Sequence, residues 1–74
     1  MSKLSLLKAR ELIKILRKLG FIQVRQKGSH AFFSHRDGRT TVVPIHQDKQ
    51  IGRGLIRYIL HDISLSPEEF KKLK

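Results

Sequence analysis

The spacing of apolar residues changes twice along this chain, and this change constrains the fold more than any other feature. Apolar residues first recur at helical intervals, then alternate with polar residues in short segments, and then return to helical intervals. The first helical set is Ala9, Leu12, Ile13, Leu16 and Leu19. The second set is Ile51, Leu55, Ile56, Ile59, Leu60 and Ile63. Because 74 residues are too few to divide into two cores, we expect one domain over residues 1–74.

Cap signals mark the limits of the helices. Ser5 is the expected N-cap of the first helix, and Gly20 follows its last apolar residue, where a left-handed conformation is favoured. The second helix is predicted over Gly52–Asp62. The run Ser66–Glu69 has Ser at the cap, Pro at the first helical position and Glu at the third, which predicts a short C-terminal helix with a capping box.

Three short strands are predicted between the helices. Lys27–Ser29 is typical of a turn, and Asp37-Gly38 predicts a type I′ hairpin turn with positive φ at both central residues. Pro44 is expected to end the last strand. The predicted strands are Phe21–Gln26, His30–His35 and Arg39–Val43.

The order of elements is therefore α–β–β–β–α with a small terminal helix, an α+β class. It predicts a three-stranded antiparallel sheet with two helices on one face. The other face of the sheet is left for solvent or a partner. Phe32 and Phe33 are neighbours on one strand, so one should enter the core and the other should face a base or a partner protein.

The charge of the chain indicates its class of partner. Sixteen Lys and Arg residues against six Asp and Glu give a net charge of +10. A domain this basic favours nucleic acid, an anionic membrane or an acidic protein. Arg10, Lys14, Arg17 and Lys18 follow one side of the first helix, as either a solvated face or a stripe for an RNA backbone. Arg53 begins the second helix, where backbone N–H groups and a cation together favour a phosphate.

Composition also excludes several classes of protein. The chain has no cysteine, so disulfides, Cys-based zinc sites and thiol nucleophiles are excluded. Its longest apolar runs, such as Tyr58–Leu60, are far shorter than the roughly 20 residues of a membrane span. The N-terminus has no continuous apolar stretch of the kind that signal peptides contain. We expect a cytoplasmic protein without membrane contact.

The four histidines carry the candidate chemistry. His30 and His35 lie an odd number of residues apart on one predicted strand, so they should point to opposite sides and cannot share a metal. Asp37 and Asp48 are not paired, and we expect no metal site. Ser29 directly precedes His30, so their side chains diverge in extended chain and a nucleophile–base pair is not indicated.

A single histidine in a basic setting suits metal-independent RNA cleavage, because RNA supplies its own 2′-OH nucleophile. The protein then needs a group with a pKa of about 6.5 to move a proton, and cations to stabilise the charge on phosphorus. His30 follows a turn that contains Gly28 and stands beside Lys27. The alternative is an ordinary surface or packed histidine.

Four short motifs occur in an order and spacing that identify a family. They are Leu19-Gly20-Phe21, Gly28-Ser29-His30, Val43-Pro44-Ile45-His46, and Ile51-Gly52 followed by Arg57 and Ile59-Leu60. Across Glu11 to Phe70 the sequence resembles the HicA family of toxins, also called YcfA-like. Two departures stand out. Leu55 follows Gly54 where many members have Thr, and Asp62 stands where many have Gly.

The resemblance implies a fold like a double-stranded-RNA-binding domain and an mRNA interferase that acts independently of translation. It implies that His30 is the active-site histidine, preceded by the family's glycine at Gly28. It also implies a HicB-type antitoxin that masks the histidine, and no cofactor.

These observations give a hypothesis in which mRNA crosses the first helix and the first turn. His30 is the catalytic residue. The RNA-binding residues are Lys27, Gly28, Ser29, Arg10, Lys14 and Arg53. One histidine cannot be acid and base at once, so His46 or Lys27 is a candidate second group. Two alternatives stay open: a module that binds RNA without cutting it, and a subunit that uses its charge on an acidic protein. The free protein is expected to be a monomer.

Overall fold

The structure is a computed structural model that describes residues 7–45 and 50–73, and within them it confirms the predicted α+β architecture. The elements are β1 Leu7–Lys8, α1 Ala9–Lys18, β2 Ile22–Lys27, β3 His30–Ser34, β4 Thr40–Pro44, β5 Gln50–Ile51, α2 Arg53–Asp62 and α3 Pro67–Leu73. A three-stranded antiparallel sheet has the order β2-β3-β4. No helix in the described ranges is long and apolar enough to cross a membrane.

Helix α1 begins later than predicted and ends where predicted. Its N-cap is Lys8, whose backbone N–H donates to the Glu11 carboxylate at 2.9 Å, so the prediction that Ser5 caps this helix is wrong. At the other end Gly20 has φ 97°. The Gly20 N–H donates to Arg17 O and the Phe21 N–H to Leu16 O, a Schellman motif that confirms the predicted C-terminus.

The hairpin between β2 and β3 has a two-residue turn. Lys27 pairs with His30, and Gly28 and Ser29 lie between them. Gly28 has φ 59°, and positive φ at the first central residue alone is the pattern of a type II′ turn. A Cβ atom added at Gly28 would meet open space, so its backbone conformation rather than crowding favours glycine here.

The hairpin between β3 and β4 differs from its predicted turn type. Among the described residues Ser64 is the one non-glycine residue with positive φ, so Asp37 does not have the conformation of a type I′ turn and that prediction is wrong. The Gly38 N–H donates to His35 O and the His35 N–H to Arg39 O. With Gly38 at φ 101°, this is a type I turn followed by a left-handed glycine in a bulge.

Strand β4 includes Pro44 and its pairing continues one residue further. Pro44 lies opposite His30, and the Ile45 N–H donates to Ser29 O. Because hydrogen-bonded and non-hydrogen-bonded pairs alternate, His30 and Pro44 form a non-hydrogen-bonded pair. Proline loses no ladder hydrogen bond at such a position, so β4 includes Pro44 as its last residue, one residue beyond the predicted end at Val43.

A second, two-stranded sheet was not predicted. It pairs β1 with β5, Leu7 with Ile51 and Lys8 with Gln50. Leu7 and Ile51 are both buried. This short pairing joins the start of α1 to the start of α2, and strands of two residues leave no alternation in the sequence to detect.

The core lies between one face of the three-stranded sheet and the helices. Phe33 is buried and Phe32 is half-buried on the opposite face, as predicted for this pair. On α2 the buried side is Ile56, Ile59 and Leu60. Leu55 was predicted to share that apolar face, but it is 39% exposed.

Helix α3 closes the core and has the predicted capping box. The Glu69 N–H donates to Ser66 Oγ, and the Ser66 N–H donates to Glu69 Oε1, both at 3.1 Å. The same hydrogen bond from Ser66 lowers the pKa of the Glu69 carboxyl. Phe70 is fully buried, so α3 is held by an aromatic anchor.

Candidate nucleic-acid interface

The face of the sheet opposite the core carries His30. Cross-strand partners share a face, so the register assigns nine side chains to this surface. They are Ile22, Arg25, Lys27, His30, Phe32, Ser34, Thr40, Val42 and Pro44. We call this set the open face.

A bulge in β2 brings Lys27 to the same side as His30. The register shifts between Gln23 and Arg25, which leaves Val24 as the extra residue. Without it, Lys27 would point to the side opposite Ile22, because the two are five positions apart and side chains alternate along a strand. With it, Lys27 lies directly across from His30, where Cβ atoms are about 5 Å apart. The bulge therefore determines which charge stands beside the histidine.

The same bulge aligns Arg25 with Phe32. The two residues pair across the strands, and the Arg25 guanidinium lies 5.8 Å from the centre of the Phe32 ring. A cation over an aromatic face of this kind is a common element of surfaces that bind nucleic acid. Phe32 thus lies half-buried on the open face, and Phe33 is the member of the pair that enters the core.

His30 lies at one end of a groove between the open face and α2. The groove has a volume of about 530 Å³, within the range of small-molecule sites. Its walls are mainly apolar and come from β3, β4, β5 and α2. They are His30, Val42, Pro44, Gln50, Ile51, Gly52, Leu55, Tyr58 and Asp62.

The α2 wall of the groove was missed in the sequence. Leu55, Tyr58 and Asp62 follow one another at helical spacing, so they form one stripe on α2. Tyr58 is 67% exposed, whereas tyrosine side chains are usually at least partly buried. The available signal was that Tyr58 does not fit the spacing of the buried residues Ile56, Ile59 and Leu60.

Asp62 is held at the far end of this stripe. Its Oδ2 accepts a hydrogen bond from Thr41 Oγ1 at 3.2 Å, and Thr41 is buried. A carboxylate accepts more than one hydrogen bond, so Asp62 keeps acceptor capacity beyond its contact with Thr41. One carboxylate oxygen is thus tied to a buried residue, and Asp62 also lines the groove.

The structure brings some predicted RNA-binding residues to His30 and separates others. Lys27, Gly28 and Ser29 form the hairpin end beside it, and Arg53 follows Gly52, which lines the groove. Arg10 is exposed on α1 and lines no part of the His30 groove. Lys14 lines a different groove with Leu7, Lys18 and Leu73. His46 lies outside the described residues.

The two central histidines of the sequence face different surroundings, as predicted. His30 is exposed on the open face, whereas His35 packs edge-on against the core residue Phe21 with ring centres 5.1 Å apart. Within residues 7–45 and 50–73, no three His, Asp or Glu side chains come together as a metal site would require.

Comparison with known proteins assigns the family. A family model described as the HicA toxin of bacterial toxin–antitoxin systems matches residues 9–65, more than three quarters of the chain. The match includes the β2–β3 hairpin, His30 and all of α2. No curated protein sequence is significantly similar to the chain. The chain therefore belongs to the HicA family, the toxins of bacterial toxin–antitoxin systems, whose members are paired with an antitoxin.

Proposed function

We propose that this toxin is a metal-independent endoribonuclease that cleaves mRNA, with His30 as its catalytic residue. The observation that carries the proposal is the arrangement of His30 itself. It is exposed, it stands directly across from Lys27, and it opens onto a groove of nucleotide size. An imidazole moves protons near neutral pH, and an ammonium group stabilises negative charge on a phosphate.

Cleavage proceeds by attack of the ribose 2′-oxygen on the adjacent phosphorus. The bond from the 2′-oxygen to phosphorus forms and the bond to the 5′-oxygen breaks. The 2′-OH gives its proton to a base, and the leaving 5′-oxygen takes one from an acid. The products are a 2′,3′-cyclic phosphate and a 5′-hydroxyl end.

His30 is assigned one of these two proton transfers, and Lys27 faces the phosphate. Lys27 also serves as the candidate second group, because it is the charged side chain directly across the strand pair. Arg53, at the start of α2, binds a neighbouring phosphate together with backbone N–H groups of the helix. Gly28 and Ser29 give the RNA access to the end of the hairpin, and Arg10 and Lys14 extend the basic surface along α1.

The test is cleavage of a long single-stranded RNA in EDTA by the wild type and two matched histidine variants. His30→Ala should lose at least about 100-fold in rate, the lower range for loss of a general acid or base. His61→Ala is the control, because His61 is exposed on α2 and does not line the groove. Wild-type cleavage should yield cyclic phosphate ends, and His30→Ala should not be toxic in cells.

Two outcomes would overturn this assignment. Equal cleavage by His30→Ala would remove His30 from the chemistry. RNA binding without cleavage by the wild type would favour the alternative, a non-catalytic RNA-binding module.

We further propose that the antitoxin is of the HicB type and covers the open face. On the open face Ile22 is 64% exposed, and the bulge residue Val24, two positions further along β2, is 57% exposed. Apolar exposure of this extent beside basic groups is typical of a protein interface. An acidic partner seated there would hide His30 from RNA. The complex should therefore protect His30 from diethyl pyrocarbonate, which modifies exposed imidazole.

A further inference from the structure

We propose that the groove beside His30 is a nucleobase subsite, in which Tyr58 stacks on a base next to the cleaved phosphate and Asp62 accepts a hydrogen bond from the amino group of that base. The inference rests on the proposed ribonuclease function and adds to it a source of sequence preference. In this proposal, residues of α2 recognise a base of the RNA, whereas the end of the β2–β3 hairpin contacts the RNA backbone.

The first support is that α2 has two apolar sides and only one of them is used by the core. Ile56, Ile59 and Leu60 are buried, whereas Leu55 and Tyr58 are one turn apart and line the groove. Tyr58 is 67% exposed. An aromatic ring that projects beside a cationic surface offers a planar face for base stacking, which contributes to binding for every type of base.

The second support is the opposite wall. Val42 and Pro44 stand on the open face across from the α2 stripe, and His30 is the cross-strand neighbour of Pro44. Val42 and Pro44 are two residues apart on β4, or about 7 Å along the strand. In the proposed complex, a planar base lies against these apolar walls, with its phosphate next to His30 and Lys27.

The third support is the sign of the charge at Asp62. A phosphate is repelled by a carboxylate, so an RNA backbone cannot lie against this end of the groove. A base edge can, because the amino groups of adenine, cytosine and guanine donate hydrogen bonds that a carboxylate accepts. Thr41 fixes the carboxylate through Oδ2, so the acceptor is already oriented before RNA binds.

These features together predict discrimination against uracil. Uracil has no exocyclic amino group, and its one base-edge donor, N3–H, lies between two carbonyl oxygens. An approach of this edge to Asp62 therefore brings at least one acceptor against the carboxylate. The subsite therefore prefers a base with an exocyclic amino group on one side of the cleaved phosphate.

The experiment uses oligodeoxynucleotides that each contain one ribonucleotide, so that cleavage is confined to one phosphate. The base on either side of that phosphate is varied among A, C, G and U. Wild-type protein should cleave the uracil version with a kcat/KM about tenfold lower at one of the two positions, the order expected for one lost polar contact. Asp62→Asn, which keeps an oxygen for Thr41 and adds an amide donor, should reduce this difference.

Tyr58 is tested in the same assay. Tyr58→Ala should raise KM about tenfold with little change in kcat, because stacking binds the base and does not touch the reacting atoms. Tyr58→Phe keeps the ring and should behave as the wild type. His61→Ala is the control from the same helix. Thermal unfolding should be unchanged in all of these variants, because the substituted side chains are not in the core.

A binding measurement separates failure of this inference from failure of the ribonuclease proposal. Anisotropy titrations with labelled, uncleavable 2′-O-methyl oligonucleotides report base preference whether or not the protein cuts RNA. Equal affinity for all four bases, or an unchanged affinity in Tyr58→Ala, would overturn the subsite and leave His30-dependent cleavage standing. Loss of antitoxin binding by Tyr58→Ala with unchanged RNA binding would also overturn it and would place Tyr58 in the protein interface.

Discussion

A histidine stands at each end of β3, and the two have opposite surroundings. At one end His30 is exposed on the open face, beside Lys27 and a groove. At the other end His35 follows the last residue of the strand and is half-buried. Its Nε2 donates to Leu19 O at 3.1 Å, since a carbonyl oxygen can only accept.

The His35 end is a network of structural contacts. The Asp37 N–H donates to His35 Nδ1, and the Asp37 carboxylate accepts from Arg39 Nε at 2.8 Å. Arg39 also lies 5.2 Å from the centre of the Phe21 ring, and its Nη1 donates to Ile63 O. The hairpin turn, the end of α1 and the end of α2 are therefore joined through two side chains.

The difference teaches that the position on the sheet, and not the residue type, decides which groups surround each imidazole. His35 has its polar atoms satisfied by the fold, and a group in that condition stabilises structure. His30 points away from the core, towards a groove and a cation, and a group in that condition can act on a ligand.

The strongest test of this contrast measures both RNA cleavage and thermal stability in alanine variants of the two histidines. His30→Ala should lose at least about 100-fold in RNA cleavage with an unchanged melting temperature. His35→Ala should lower the free energy of unfolding by about 1–2 kcal/mol, because Leu19 O loses its hydrogen-bond donor and the Phe21 ring loses its aromatic contact. Its activity per folded molecule should be retained. Thermal melts and cleavage rates on the same preparations check both, and an inactive but stable His35→Ala would contradict the contrast.

Gly20 gives a second test at the structural end. It has φ 97°, and a Cβ atom there would lie 2.9 Å from His35 Nε2. Gly20→Ala should therefore cost about 2–3 kcal/mol, from the left-handed backbone and the displaced imidazole together. Denaturant unfolding measures this cost.

A double-mutant cycle separates the two causes. In a His35→Ala background the collision is gone, so Gly20→Ala should cost only about 1 kcal/mol. Equal costs in both backgrounds would show that His35 does not occupy the space above Gly20.

A smaller effect on stability is expected at Ser64, which follows Ile63, the residue whose carbonyl oxygen accepts from Arg39. Ser64 ends α2 in the same manner as Gly20 ends α1, with Ser64 N–H donating to His61 O and Leu65 N–H to Leu60 O. Its φ of 57° is unfavourable for a side chain. Ser64→Gly should stabilise the protein by about 1 kcal/mol, as chemical denaturation would show, whereas Ser64→Ala should not.

The smallest expected effect is a change with pH at Asp37. The backbone N–H of Arg39 donates to the Asp37 carboxylate, and this bond together with the Arg39 side chain holds the pKa of Asp37 below 3.8. A carboxyl whose pKa is lower in the folded than in the unfolded protein stabilises the fold at every pH above its pKa in the unfolded chain. This stabilisation is lost as the pH falls through its pKa in the folded protein. The melting temperatures of wild type and Asp37→Asn should therefore differ at neutral pH and converge below pH 3.8. A constant difference would contradict the contact.

Much of this fold could be predicted, because helical and alternating apolar spacing differ over segments of this length. The sequence also indicates His30 through its turn and basic neighbour. The start of α1 could not be predicted, because residues 7 and 8 are held extended by the β1–β5 pair, which is a contact distant in sequence. The turn type at Asp37 was predicted wrongly, because Asp-Gly occurs in two types of hairpin turn. The cross-strand hydrogen bonds determine which of the two forms.

The groove was harder to predict than the histidine. Leu55 and the core residues of α2 recur at the same helical spacing. Periodicity alone therefore cannot show whether all of these apolar residues enter the core or whether some of them line a groove. Likewise, the bulge at Val24 leaves no mark in the sequence, although it decides the side on which Lys27 stands. Both depend on how strands and helices are placed against each other.

Pro44 has one more consequence, for the assembly of the protein. Strand β4 is an edge of its sheet, and at a non-hydrogen-bonded pair the backbone N of Pro44 points outward from that edge. An incoming strand would find no donor there, so Pro44 disfavours extension of the sheet by another chain next to His30. The edge beside the groove is thus better suited to a ligand that binds through side chains than to one that pairs as a strand.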